Sequence, residues 1–436
     1  MAAGTQSRIA VAAALAGLLF GFDTAVVSGV TAPITHAFAL SPTGTGIAVS
    51  AALVGTLIAA LGAGIPGDRY GARAVLRWVG IAFILSALGC ALAWDLASFV
   101  AFRFIGGLAI GGASVLAPVF IAEISPASRR GALVGLFQLS IVSGILAAYC
   151  SNAVVAALLD DSSGWRWKLG VMIVPGLIFL VAMFTIPQSP RWLAARGRES
   201  EALDIAARIG LTDWTLTAPD AEAAVEERLS WTLHRKPILL AVAVASFNQL
   251  TGINAILYYL NDIFAAAGFS QVSGDVQAVS IGAANLLATL LAMTLIDRVG
   301  RRTLLLIGAA GTSVALAGVA GVYSGSGREA LLLPLLVLFI GFFAVSQGAV
   351  IWVYLSEIFP TRVRARGQAL GSATHWIWAA VLSFGFPIVA RDVDRSLPFW
   401  FFAAATLLQL VIVWRFFPET KGIRLERMEE ALRGKH

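Results

Sequence analysis

Charge is what this sequence has least of. Only 13% of its 436 residues are Asp, Glu, Lys or Arg, against roughly 25% in soluble domains. With 58% of the chain hydrophobic, the polar residues cannot cover a surface in water, so the chain reads as an integral membrane protein. Histidine is also scarce. His36, His234, His375 and His436 are scattered along the chain, with no metal-ligand spacing and no nucleophile–base pair. No metal site, no cofactor and no intramembrane enzyme are therefore expected. The two cysteines, Cys90 and Cys150, both lie in apolar segments. Each is expected to serve as a small hydrophobe, and neither redox compartment nor metal follows from them.

What is abundant is apolar sequence in long runs. A bilayer core of about 30 Å needs roughly 20 apolar residues per helix, and on that basis about twelve spans are expected. They lie near 9–30, 47–66, 75–94, 97–122, 132–156, 167–187, 237–260, 276–297, 303–323, 330–356, 367–390 and 396–417. The run after Arg8 has no polar break behind a short core, and many equal runs follow, so it is a first span rather than a signal peptide. Residues 188–236 form the largest break. Within it "SEALDIAARIG" and "AEAAVEERL" have the pattern of short amphipathic helices on one membrane face. The expected domains are 1–187, a six-helix bundle; 188–236, a cytoplasmic linker; 237–417, a second six-helix bundle; and 418–436, a cytoplasmic tail.

The net charge of +6 raises the question of nucleic acid, and its distribution answers it. Most of the 31 basic residues fall in loops that share one side if Arg8 is inside. The other side has Arg166, Lys168, Arg328, Arg391 and Arg395, and Arg103 is left deep in a span. The positive-inside rule then puts both termini in the cytoplasm. The basic excess is topological, and no nucleic-acid partner is expected.

The two halves repeat each other. "DRYGAR" (68–73) and "DRVGRR" (297–302) both follow the second span of their half, with Asp, Arg, Gly and Arg in matching places. "EISPASRRG" (123–131) and "EIFPTRVRA" (357–365) both follow the fourth, and "PQSPRW" (187–192) and "PETKG" (418–422) close the sixth. Such an internal duplication of spans is typical of transporters, with substrate held between the halves near the midplane.

These loop motifs resemble the major facilitator superfamily and, more narrowly, its sugar porter family. The likeness rests on "GLLFGFDTAVVSG" in the first span, "FRFIGG" in the fourth, "PVFIAEISPASRRG", "PQSPRW", "NQLTGINAILYY" in the seventh, "SEIFPTRVRARG" and "PETKG". It implies an all-α fold of twelve transmembrane helices in two pseudo-symmetric bundles, multi-pass in the cell (inner) membrane, working as a monomer. It also implies an intracellular latch of Asp68, Arg73, Glu123, Arg130, Asp297, Arg302, Glu357 and Arg364, closed when the protein opens outward. Carboxylate–guanidinium pairs at helix ends can hold such a latch.

Polar residues inside apolar spans are the candidates for substrate. Gln138, Asn248, Gln249, Asn254 and Asn285 carry neutral amides that donate and accept hydrogen bonds, as a polyhydroxylated ring requires. His375 adds a ring nitrogen, and Trp352 and Trp376 offer flat faces for the C–H face of a sugar. Phe20, near Asp23, completes the set. Several positions depart from the family pattern: Asn248 in place of Gln, His375 in place of Asn or Gln, Ala349 in place of Pro, and Gln188 in place of Glu. Ile145 stands where a xylose-type member carries another Gln, which favours a hexose such as glucose.

Asp23 is the anomaly. It sits among Leu18, Leu19, Phe20, Phe22, Val26 and Val27, where an ionised group costs several kcal/mol. At a rise of ~1.5 Å per residue, Asp23 lies roughly 10 Å from the outer end of the first span, and Arg103 lies about as far below the start of the fourth. The two charges share a depth and can pair. A fixed ion pair is one reading. The other is a proton switch, in which Arg103 holds the ionised acid and, once the pair parts, desolvation favours the protonated form. Passive family members tend to carry a neutral residue at this position. The expectation is therefore a sugar–proton symporter, with the bilayer, a sugar and a proton as partners. A facilitative uniporter on the same fold is the alternative. A non-transporting sugar sensor is a distant one, because long soluble extensions are expected of it and fewer than about twenty residues follow Phe417.

Overall fold

The computed structural model describes residues 2–126, 129–159, 161–211, 229–325, 328–360 and 363–421. Among them there is no strand. Twelve helical segments are long and apolar enough to cross a membrane. We number them α1 (Gly4–Gly29), α2 (Pro42–Gly62), α3 (Ala72–Ala91), α4 (Leu96–Glu123), α5 (Arg130–Leu158) and α6 (Ser163–Thr185). The remaining six are α7 (Trp231–Tyr258), α8 (Ser273–Val299), α9 (Arg301–Tyr323), α10 (Glu329–Glu357), α11 (Arg364–Asp392) and α12 (Leu397–Phe416). Large apolar side chains stand on their outer surfaces, among them Trp78, Leu158, Val181 and Val314, each more than half exposed. An apolar surface on this scale fits lipid and not water. The protein is a multi-pass membrane protein.

The chain divides into two compact units, residues 1–40 with 47–220, and 41–46 with 221–436. In the first unit α1 and α5 touch backbone to backbone. A Cβ on Gly21 would overlap the Ile141 carbonyl, and one on Gly144 would overlap that of Leu18. Without a hydrophobic force between helices in lipid, close approach through small residues is what holds them together. The second unit buries Leu240, Val244, Leu305, Ile351, Tyr354, Phe359 and Phe417 in one apolar cluster.

Local signals set the helix ends. Asp95 caps α4: its carboxylate accepts from Ser98 N–H at 2.8 Å, and the Ser98 hydroxyl accepts from Asp95 N–H at 3.2 Å. The hydrogen bonds from Ser98 hold the Asp95 carboxyl below its ordinary range. Gly71 and Gly300 precede α3 and α9 at φ of 85° and 101°, a region open to glycine at no steric cost. That explains the glycine shared by the two "DR" motifs.

Four spans are irregular. α6 is interrupted by a turn at Val171–Met172, between helices Asp161–Gly170 and Ile173–Thr185. α7 is interrupted at Gly252, which has φ 79°, and is kinked at His234, three residues before Pro237. α10 passes through a π-helical turn over Ala344–Gly348. α1 tightens into a 3-10 turn over Val27–Gly29. "SEALDIAARIG" forms the helix Glu199–Ile209, which buries Ala202, Ala206 and Ile209 and is tied to α1 by Gln6 donating to the Gly210 carbonyl at 3.2 Å. "AEAAVEERL" and the tail after Lys421 lie outside the described residues, Leu229 excepted. Cys90 is buried and Cys150 is exposed on the apolar α5. One side chain differs from expectation. Lys168, expected among loop charges, is 2% exposed inside α6.

The glycine contact is testable. Gly21→Ala should cost about 1–3 kcal/mol, the usual penalty of overpacking, and lower the thermal midpoint of the protein in detergent. Gly62→Ala, where a Cβ meets nothing within 4 Å, should leave the midpoint unchanged. Equal midpoints for the two variants would contradict the packing.

Candidate functional site

In the first unit Arg103 of α4 reaches Asp23 of α1 with both arms of its guanidinium. Nη1 donates to Oδ1 at 2.5 Å and Nη2 to Oδ2 at 3.1 Å. Each residue is only 1% exposed. A bidentate, charge-assisted pair is the strongest geometry these groups can make. Removing one partner of such a buried pair typically costs about 3–5 kcal/mol, because the other charge is stranded.

One turn beyond Asp23, polar groups hold the end of α1. Asn152 Nδ2 donates to the Val26 carbonyl and Lys168 Nζ to the Gly29 carbonyl, each at 3.1 Å. A cation suits the C-terminal end of a helix, where carbonyls lack partners. Sequence reasoning missed both residues. A lysine at a predicted span start, next to the tryptophan pair Trp165 and Trp167, was the available signal.

In the second unit a chain of polar side chains links three helices. Asn248 on α7 donates from Nδ2 to the Gln347 carbonyl of α10 at 3.3 Å. Gln249 Nε2 donates to Asn248 Oδ1 at 3.1 Å and lies 3.1 Å from His375 Nε2 of α11. The His375 ring stands 5.2 Å from that of Trp352 and 4.8 Å, edge to face, from that of Trp376. Asn248, Gln249, Gln347, His375 and Trp376 are buried; Trp352 is 40% exposed. The structure thus brings Asn248, Gln249, His375, Trp352 and Trp376 together and adds Gln347. Asn254 and the buried Asn285, on α7 and α8, stand outside this bonded chain among the described residues. Phe20 and Gln138 are half-buried on α1 and α5 of the first unit. A separate cavity of the second unit is lined by Tyr259, Asp262, Tyr323, Phe386, Arg391 and Phe399 and holds none of the polar residues singled out in the sequence.

The repeated loop motifs form two different clusters. In the second unit Arg301 bridges Asp297 at 3.0 Å and Glu357 at 2.9 Å, and Thr420 donates to Glu357 at 2.6 Å. Glu419 accepts from the backbone N–H groups of Arg301 and Arg302 at 2.9 and 3.0 Å, capping the N-terminus of α9. The Arg302 guanidinium goes to the Trp414 carbonyl at 2.6 Å. The bridging arginine is therefore Arg301 and not Arg302. In the first unit the matching place is Ala72, which carries no charge. There Glu123 takes a hydrogen bond from Ser189, and the Asp68 carbonyl accepts from Trp192 Nε1 and Arg196 at 2.8 and 2.6 Å. Arg73 lies on the first turn of α3, and Arg130 and Arg364 open α5 and α11. The "GRR" doublet against "GAR" was the sequence signal for this asymmetry.

The fold and these sites define a class: a twelve-span membrane protein of two units, with a buried ion pair in one and a polar–aromatic chain in the other. Residues 9–432 match the family described as "Sugar (and other) transporter", and the chain belongs to that family, the sugar porters of the major facilitator superfamily. It is 35% identical to the arabinose-proton symporter of Bacillus subtilis, over 97% of this chain and 94% of that protein. It is equally 35% identical to the glucose transporter GlcP of Staphylococcus epidermidis, over 96% of each. Among solved structures, the partially occluded inward open xylose transporter XylE from E. coli matches with a TM-score of 0.87 and 30% identity, over 97% of this chain and 100% of that one.

The two halves make opposite predictions at their matching caps. Gln188, close to Gly71, stands where the second half has Glu419. A carboxylate at a helix N-terminus contributes up to about 1 kcal/mol. Glu419→Gln should lower the thermal midpoint in detergent, and Gln188→Glu should raise it. Shifts of the same sign would contradict this account of the caps.

Proposed function

We propose that the protein carries a sugar, a hexose such as glucose, across the cell membrane together with a proton, by alternating access. The observation that carries this reading is the buried Asp23–Arg103 fork. Arg103 offers two N–H donors to the Asp23 carboxylate, a geometry that suits the ion pair. When α1 and α4 shift against each other within the first unit during the cycle and part the pair, the carboxylate is left among apolar neighbours such as Leu19, Phe22 and Val26. Water cannot solvate it there, so the protonated form is favoured. The proton thus enters on one side and leaves on the other as the pair reforms. Such a step costs several kcal/mol, which sugar binding in the same cycle offsets.

The sugar contacts we assign are Asn248, Gln249 and His375, with Trp352 and Trp376 as the apolar faces, assisted by Gln138, Asn254, Asn285 and Phe20. Ile145, buried near Gly21, offers no polar group, which supports a hexose over a pentose. The arginine-rich helix ends and both termini face the cytoplasm on the positive-inside rule. The clusters around Glu123 and around Arg301 and Glu357 are the latch residues that part when that side opens. The protein is proposed to work as a monomer in the inner membrane. The arabinose, glucose and xylose relatives support a sugar as cargo and leave the choice of sugar to experiment.

Reconstituted protein should accumulate labelled glucose above equilibrium under an inward proton gradient, and an uncoupler should abolish the accumulation. Asp23→Asn should lose accumulation and keep sugar counterflow. Equilibration that ignores the gradient would establish the uniporter instead. Absence of Asp23→Asn protein from the membrane would point to a purely structural ion pair.

A further inference from the structure

The π turn of α10 carries a side chain that the transport cycle above does not use. A π-helical turn adds one residue to the i→i+4 ladder, shifts the side chains on it out of helical register, and recurs at functional sites. Here the turn spans Ala344–Gly348, and α-helix resumes at Ala349. Gln347 rides on it, fully buried at 0% exposure. Neither the nitrogen nor the oxygen of its side-chain amide has a hydrogen-bond partner among the described residues. Its backbone carbonyl is occupied by Asn248, which fixes Gln347 at the head of the chain Asn248–Gln249–His375. The Gln249 Oε1 atom is in the same condition, buried and unpartnered.

A buried amide in a membrane helix usually joins that helix to its neighbour by a hydrogen bond. The Gln347 side chain does not. Buried polar atoms without partners are rare, because each gives up its bonds to water and gains none in return. Three such atoms on one bonded chain, one of them a donor and two of them acceptors, are complementary to hydroxyl groups, each of which both donates and accepts. We propose that Gln347 is a further sugar-binding residue, its amide engaging a pair of adjacent hydroxyls, and that it decides which hydroxyl pattern the protein accepts. This rests on the sugar-transport reading above. The discrimination should be strong, because a sugar lacking one of those hydroxyls leaves the amide unpaired again, and sites built to bond a hydroxyl reject such analogues sharply.

The test compares sugar binding to the purified full-length protein and to Gln347→Leu, by calorimetry. The ligands are the hexose or pentose that the native chain binds best and its set of single-deoxy analogues. In the native chain one or two adjacent deoxy positions should weaken binding by about tenfold or more. In Gln347→Leu the parent sugar should weaken by a similar factor, and those same analogues should bind within about twofold of the parent. Gln347→Asn keeps the amide but withdraws it by one methylene. It should flatten the same positions and serves if the leucine variant does not fold. An unchanged ranking of the analogues in a folded variant would overturn the role of Gln347 while leaving sugar transport standing. Failure of the native chain to bind any sugar of the panel would overturn both.

Discussion

A carboxylate and a guanidinium joined edge to edge, each 1% exposed, are the constraint around which the first unit is arranged. Neither group tolerates the hydrocarbon alone, so α1 and α4 must be held where the fork closes. Gly21 and Gly144 bring α5 against α1, and Asn152 and Lys168 fasten the end of α1 just past Asp23. These contacts are close and mostly to backbone.

The second unit solves a different problem with the same ancestral plan. Its polar residues are neutral amides, a histidine and tryptophans rather than a charge pair; those on α7 and α10 sit on helices that are broken or bulged, α7 at Gly252 and α10 at the π turn, while His375 and Trp376 sit on the continuous α11. Irregular backbone at membrane depth is tolerated where it is buried in protein or lines a water-filled cavity, and the proposed sugar contacts on α7 and α10 lie beside these breaks. The helix-end clusters diverge as well. Arg301 ties two carboxylates in one half, whereas in the other, with Ala72 at the matching place, the Asp68 carbonyl accepts from the Trp192 and Arg196 side chains and Glu123 takes a hydrogen bond from Ser189.

The architecture was legible because hydropathy over about twenty residues leaves little choice of structure, and the repeated "DRxG" motifs gave the duplication. Asp23 and Arg103 were legible by depth, since helical rise converts sequence position into height. Gln347, a polar residue inside the tenth span, met the criterion used for the other candidates and was passed over. The π turn on which its amide is buried without a partner was not legible, because no residue in "AVSQG" announces one. Arg301 was masked by its neighbour Arg302, because a motif read by spacing does not say which of two adjacent arginines turns inward. Lys168 was hidden by its position near a predicted span end, where a lysine normally reaches for water.

The central claim is that Asp23 takes up a proton when Arg103 releases it, and that sugar and proton are thermodynamically linked through this step. Linkage is reciprocal: if protonation favours sugar, sugar favours protonation. The most direct measurement is the infrared difference spectrum of the reconstituted protein on adding sugar at constant pH. A band from a protonated carboxyl group should appear in the native protein and be missing in Asp23→Asn. Sugar binding with no such band, or with the same band in both proteins, would contradict the account.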